Sequence, residues 1–334
     1  MRRRLTGFAA QLQEIAIVTL DDILAPLGSE AFFRDCYRKK PVHIPAAAGR
    51  ADIFSLAELS AMLSQASHWN ERNLRMWIDR LPVNPEHYTS MMQTLGGMAR
   101  RPDPAKVEAA FARGATIVLN ETENLTAPLR AAANCLETAF LGTASANIYC
   151  SPGERQAFDS HYDDHEVFAF HIAGEKKWRI YEGRMDNPVG QPAPRPNLQQ
   201  LHDQSKGRVA FEQTMKPGDL LYLPRGQYHD ALASGGLSLH VTFSVVPMNG
   251  LALFKLLETA SIPNSLFRDD LPNPETAEGK ALLRERLSAL SGQIGALMTS
   301  DAFLDQVLAA QRALIRRRPD ANLEASLKPP GDNR

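Results

Sequence analysis

The chain has 334 residues, 44% of them hydrophobic and 22% charged, which suits a globular protein with one sizeable core and excludes a wholly disordered one. Lys+Arg 37 against Asp+Glu 38 leaves a formal net charge of −1, so no global pull toward nucleic acid or an anionic membrane exists, and direct nucleic-acid binding is not expected. Cys36, Cys135 and Cys150 are widely separated and form no CxxC pair, which argues against a disulfide framework or zinc knuckle and for a reducing, cytoplasmic setting.

The N-terminus, MRRRLTGFAAQLQEIAIV, begins with basic residues, but Gln11, Gln13 and Glu14 break the apolar run that a signal peptide needs. No stretch approaches the ~20 apolar residues that span a bilayer, so no membrane association is expected. Residues 1–16 read as a short amphipathic lead, and Thr19 is placed to cap a helix beginning Leu20-Asp21-Asp22. The prolines and β-branched residues of Lys39–Pro45 predict a first strand. Ser55, with Glu58 three residues on, predicts a second capped helix. Ala115–Asn120 reads as a short strand and Ala127–Phe140 as a helix.

Residues 144–248 change character, with short alternating runs separated by Gly, Pro and Asp clusters, the pattern of an antiparallel β-sandwich or barrel. The runs are Ala146–Cys150, Val167–Ile172, Lys177–Tyr181, Asp219–Leu223 and Leu237–Val246. Residues 68–112 and 183–210 read as polar, irregular loops, with Asn187–Gln200 exposed. Beyond Leu251 the pattern is helical again. Leu283, Leu287, Leu290, Ile294 and Leu297 recur at spacings of 4, 3, 4 and 3, an apolar seam that packs against its own domain or a second copy. The sequence after Arg316 reads as a solvated tail.

The chemistry-bearing arrangement starts at Ser160-His161-Tyr162-Asp163-Asp164-His165. In a strand, residues two apart project to one face, so His161 and Asp163 aim at one spot. HxD alone is common by chance. Downstream, Lys216–His229 reads as a tight turn at Pro217-Gly218-Asp219, a buried strand, a second turn at Pro224–Gly226, and a histidine. Two histidines and a carboxylate match a facial triad for non-haem Fe(II), leaving two positions for a bidentate 2-oxo acid and one for O2. Asp164, His165 and His240 form a competing set. His229 is preferred to His240 because a turn delivers it to a barrel mouth, whereas His240 lies inside a strand. His43, His68, His87 and His202 read as ordinary surface or core histidines.

Alternation along Glu175–Tyr181 puts Lys176, Trp178 and Ile180 on one face and Lys177, Arg179 and Tyr181 on the other. A lysine beside Trp and Ile faces inward, where an ammonium needs an anion. The alternative is that Lys176, first in its strand, snorkels to solvent.

His161–Phe168 together with Gly174–Tyr181 resembles the JmjC-type, cupin-like 2-oxoglutarate oxygenases, and within them the ribosomal oxygenase branch. Phe32–Ile44, Ala115–Tyr149, Pro217–His229 and Ser238–Thr242 extend the resemblance over roughly residues 19–250. It implies a double-stranded β-helix (jelly roll) with flanking helices and a C-terminal helical region. It implies Fe(II) held by His161, Asp163 and His229, and Lys176 on the distal carboxylate of 2-oxoglutarate. Asn147 and Thr242 match positions that contact the cosubstrate, and Tyr149 faces the cosubstrate or substrate cleft. The implied division is 1–114 leading into the barrel, 115–250 as catalytic core, 251–318 as a helical region able to form a homodimer, and 319–334 as a flexible tail.

The expected activity is hydroxylation of a protein or peptide side chain with succinate and CO2 as coproducts, the substrate being a ribosomal protein or a biosynthetic precursor peptide. Members of the ribosomal branch continue into a winged helix, for which residues 251–334 leave little room, and this puts the ribosomal substrate in question. Two alternatives stand beside this expectation: hydroxylation of a small metabolite, and a metal-dependent cupin without oxygenase chemistry, an isomerase or binding protein.

Overall fold

The computed structural model describes residues 19–65, 68–153, 156–190, 197–316 and 318. The described residues fall into two compact units, one built from residues up to Ala139 with Ala144–Val246, the other from Pro247–Arg316 with Phe140–Thr143. The N-terminal lead and the tail beyond Arg318 lie outside the described residues.

The larger unit begins with α1 (Leu20–Leu24) and α2 (Ser29–Asp35). Thr19 caps α1 through a reciprocal bond with Asp22, as the sequence predicts. Then come β1 (Val42–Ile44) and α3 (Leu56–Leu63), capped by Ser55 onto the Glu58 amide. Strands β2 (Leu74–Ile78), β3 (Leu81–Pro82), β4 (Thr89–Thr94) and β5 (Gly97–Pro102) and helix α4 (Pro104–Ala112) occupy the segment expected to be irregular. The pattern hid them for a physical reason. Hairpin β4–β5 is a separate two-stranded sheet whose burial alternates, but its exposed face carries Met91 and Met98 beside Gln93 and Arg100 and its half-buried face mixes Ser90 and Arg101 with Met92 and Ala99, so hydropathy does not follow burial. The unit continues with β6 (Thr116–Leu119), α5 (Ala127–Phe140) and β7 (Gly142–Pro152). It closes with β8 (Glu166–Arg184), α6 (Leu198–Ser205), β9 (Val209–Met215), β10 (Leu220–Leu223) and β11 (Gln227–Pro247). Helix α6 and most of β9 also fall where loop was expected or beside it.

A nine-stranded sheet runs β1-β10-β8-β11-β7-β6-β2-β3, with β9 added to β8, and its registered ladders are antiparallel. The runs Val167–Ile172 and Lys177–Tyr181, expected as separate strands, are two halves of β8. Its first half pairs with β10 and its second with β9, while β11 follows it throughout. The change of partner falls at Gly174, at φ 71°, where a Cβ would stand 1.6 Å from the Leu237 carbonyl oxygen. Only glycine passes there. Val167, Ala169, Trp178, Ile180, Met215, Leu221 and Leu223 form a buried cluster that ties both halves together. Outside it, Phe32 meets Tyr222 edge-on at 4.7 Å and anchors α2 to the sheet.

The smaller unit contains α7 (Ala252–Ser261), α8 (Ser265–Arg268), α9 (Ala277–Met298) and α10 (Asp301–Ala313). Of the seam on α9, Leu283, Leu290, Ile294 and Leu297 are half-buried and Leu287 is exposed. No described helix is long and apolar enough to cross a membrane.

Candidate active site

His161 does not lie in a regular strand. It forms an isolated antiparallel bridge with His229, the second residue after the start of β11. The amide of each donates to the carbonyl of the other, at 3.0 and 2.9 Å. The same-face geometry expected of HxD therefore comes from this bridge and the bend after it, not from strand alternation. Gly226, at φ 86°, makes the approach to His229, because a Cβ there would stand 2.0 Å from the Met185 carbonyl oxygen. The Gly226 amide donates to the Asp163 carbonyl at 2.8 Å, which fixes the turn against the HxD segment.

Ligand atoms of His161, Asp163 and His229 lie within 4.8 Å of one another. His161 Nδ1 lies 2.7 Å from the Asp159 carbonyl and His229 Nδ1 lies 3.0 Å from that of Gln227. Carbonyls only accept, so each Nδ1 carries the proton and each Nε2 keeps a lone pair. His229 Nε2 is 3.6 Å from Asp163 Oδ2. Burial pushes the His229 pKa down to about 4, which keeps that nitrogen unprotonated at neutral pH. Two imidazoles and a carboxylate, each imidazole oriented by a backbone carbonyl, form a donor set suited to a divalent ion.

These groups open onto a cavity of about 140 Å³. Lys176, Asn147, Tyr149 and Thr242 line it as well, so the structure brings all seven candidate site residues to one place. Lys176 is 5% exposed, so it does not snorkel, and no described carboxylate pairs with it. Burial pushes its pKa down to about 8. Asn147 Oδ1 accepts from the Glu121 amide at 3.3 Å, and Tyr149, pushed up to about 12 by burial, is a neutral phenol.

Of the competing set, His165 and His240 line the cavity and Asp164 does not. His240 stacks flat on Tyr149 at 4.7 Å, its Nδ1 is buried without a partner, and burial holds it well below the ordinary imidazole pKa. Phe158, Trp178 and Ser244 also line the cavity and were missed. Period-two alternation from His240 through Thr242 pointed to Ser244. Nothing in the sequence pointed to Phe158, which contacts Trp77 of β2 at 4.8 Å across the fold.

Residues 119–253 match the JmjC domain family. Over 272 residues the chain is 29% identical to the bifunctional lysine-specific demethylase and histidyl-hydroxylase NO66 of Drosophila persimilis, covering 78% of this chain and 37% of that protein. It is 26% identical over 308 residues to human ribosomal oxygenase 1, covering 85% of this chain and 46% of that protein. It thus spans about half the length of such relatives, or less. Among solved structures, the Escherichia coli ribosomal oxygenase YcfD superposes with a TM-score of 0.51 at 16% identity, covering 84% of this chain and 69% of that one, a likeness of fold. The long bent pair β8 and β11 and the antiparallel sheet agree with the matched segment: residues 119–253 are similar to the JmjC domain family, and the chain is similar in sequence to ribosomal oxygenases.

Proposed function

We propose that the chain is an Fe(II)- and 2-oxoglutarate-dependent oxygenase that hydroxylates a side chain of a protein or peptide. One observation carries the reading: a buried lysine with no counter-ion among the described residues shares a cavity with a two-histidine, one-carboxylate donor set. An isomerase has no need of an anion site at that place. A 2-oxo acid chelated at the ion has a distal carboxylate to satisfy.

In this reading His161 Nε2, Asp163 and His229 Nε2 hold the ion, and the Lys176 ammonium pairs with the distal carboxylate. The Thr242 hydroxyl and the Asn147 amide supply further hydrogen bonds to the cosubstrate, and the neutral Tyr149 phenol lines the same cleft. Fe(II), 2-oxoglutarate and O2 supply the oxidation, which yields succinate, CO2 and a hydroxylated side chain. The protein's part is positioning and the exclusion of water, through Phe158, Trp178 and Val167 in the cavity wall. Residues 115–250 are the catalytic core in this scheme.

The named relatives include histidyl-hydroxylase and ribosomal oxygenases, which supports a protein substrate, a ribosomal protein or a precursor peptide. The free cysteines among the described residues accord with a cytoplasmic protein. Phe254, at 68% exposed, and Leu287, at 54%, support a homodimer through residues 251–318.

The test is mass spectrometry of ribosomal and precursor peptides incubated with the protein, Fe(II) and 2-oxoglutarate, with and without O2. A gain of ~16 Da that needs all three is the expected result. Failure of 2-oxoglutarate to raise the melting temperature of the metal-loaded protein overturns the reading in favour of a non-oxygenase cupin.

A further inference from the structure

The segments that carry the two candidate ligand histidines are gripped from behind by α6, a helix outside the cavity. Ser160, Tyr162, Tyr228 and Asp230 are the chain neighbours of His161 and His229, and none of the four lines the cavity. Ser160 belongs to no strand, so no ladder satisfies its polar groups. Side chains of α6 and its cap do so instead. Ser160 Oγ donates to Asp203 Oδ1 at 3.3 Å and accepts from Lys206 Nζ at 3.0 Å, while its carbonyl accepts from Gln199 Nε2 at 3.1 Å. Tyr162 meets the His202 ring edge-on at 5.1 Å and the Tyr228 ring edge-on at 5.3 Å.

These contacts converge on Lys206, the residue that caps the C-terminus of α6. An ammonium has three donors and no acceptor. This one donates to Ser160 Oγ and, at 2.7 Å, to Asp203 Oδ1, and it stands over the Tyr181 ring at 5.1 Å from the centroid. The Tyr181 hydroxyl in turn donates to Asp230 at 2.5 Å. One cation therefore holds the residue before His161 directly and the residue after His229 through one aromatic ring. The ring of His161 is aimed by the Asp159 carbonyl and that of His229 by the Gln227 carbonyl, so both directions follow the backbone at the points that Lys206 braces. Its side chain is 24% exposed and Ser160 only 5%, so the bond between them is shielded from water more than a surface pair is.

We propose that Lys206 is a positioning residue that fixes the direction of both histidines toward the ion, acting on His161 through Ser160 and on His229 through Tyr181 and Asp230. The proposal rests on the reading of His161, Asp163 and His229 as the ligand set, and it adds to that set a residue that lies outside the cavity.

The test uses the full chain and reads the metal centre rather than turnover. In Lys206→Met the visible d–d bands of the Co(II)-loaded protein are expected to shift, and Mn(II) affinity, followed by EPR, to weaken by about tenfold. Ser160→Ala is expected to move the same bands, and the double variant to go no further than Lys206→Met alone. Gln204→Gly, at an exposed position of the same helix, is the control: it lowers the melting temperature and is expected to keep the parent's bands and affinity. Parent-like bands and affinity in Lys206→Met, or an equal loss in Gln204→Gly, overturn the proposal. Should Lys206→Met not fold, Ser160→Ala decides by the same criteria. Asp163→Ala, measured alongside, separates the two readings. Unchanged Mn(II) affinity there overturns the ligand set and the proposal with it, whereas lost binding there beside a parent-like Lys206→Met overturns the proposal alone.

Discussion

His161 and His229 are locked to one another through the backbone before either meets an ion: each amide donates to the other's carbonyl. Their rings stand 4.6 Å apart between centroids, with each Nδ1 committed to a carbonyl two residues upstream. The donor set is therefore preorganised, so little ordering remains to be done when an ion binds.

Removing a ligand from this set is expected to abolish metal binding without unfolding the protein. Asp163→Ala and His229→Ala should each weaken Mn(II) binding, followed by EPR, by at least ~100-fold. Hydroxylation should fall in parallel while the circular dichroism spectrum stays that of the parent.

Lys176 is expected to make affinity for 2-oxoglutarate depend on pH. Its pKa of about 8 without ligand means the ammonium is present below that value and is lost above it. Apparent affinity for 2-oxoglutarate, measured by calorimetry, should be flat below pH ~8 and fall up to about tenfold per pH unit above it. In Lys176→Arg this fall should vanish, because the guanidinium stays charged.

The same residue carries a stability cost of opposite sign. Its folded pKa lies below the unfolded one, so the charged lysine destabilises the ligand-free protein below pH ~8, and the cost fades as pH rises from about 8 toward 10.5. The gap corresponds to about 3 kcal/mol, as an order of magnitude. Lys176→Met should therefore raise the urea midpoint at pH 7, and 2-oxoglutarate should no longer stabilise the variant further.

Gly174→Ala is expected to cost more than an ordinary surface change. A Cβ there would press on the Leu237 carbonyl at a left-handed φ, so β8 must shift away from β11. Urea denaturation should show a loss of at least about 2 kcal/mol. Because Lys176 follows two residues later, 2-oxoglutarate affinity should fall as well.

Asp230, buried beside His229, accepts from Arg179 Nε at 2.7 Å and from the Tyr181 hydroxyl at 2.5 Å. Asp230→Ala leaves the Tyr181 donor and a partly buried cation without a partner, at a cost of about 2–4 kcal/mol read from thermal or urea unfolding.

Local chemistry was legible in the sequence wherever a residue's role depends on its near neighbours. Thr19 and Ser55 cap helices because a side-chain oxygen needs only the next turn of chain to find its amide. Helix α5 was readable end to end from its periodicity. The inward face of Lys176 followed from alternation against Trp178 and Ile180, and the motif around His161 and His229 named the residues that now share one cavity. Tertiary structure decided the rest. Whether Lys176 is paired or solvated depends on what the other strands place beside it, and among the described residues no carboxylate pairs with it. The union of two expected strands into β8 depends on β11 passing over Gly174, a contact made far along the chain. Hairpin β4–β5 left no periodic trace because its exposed face carries methionines beside polar residues, so hydropathy does not follow its alternating burial. Phe158 joins the cavity and Lys206 reaches Ser160 through contacts between distant segments, and a linear pattern carries no record of those until the sheet closes.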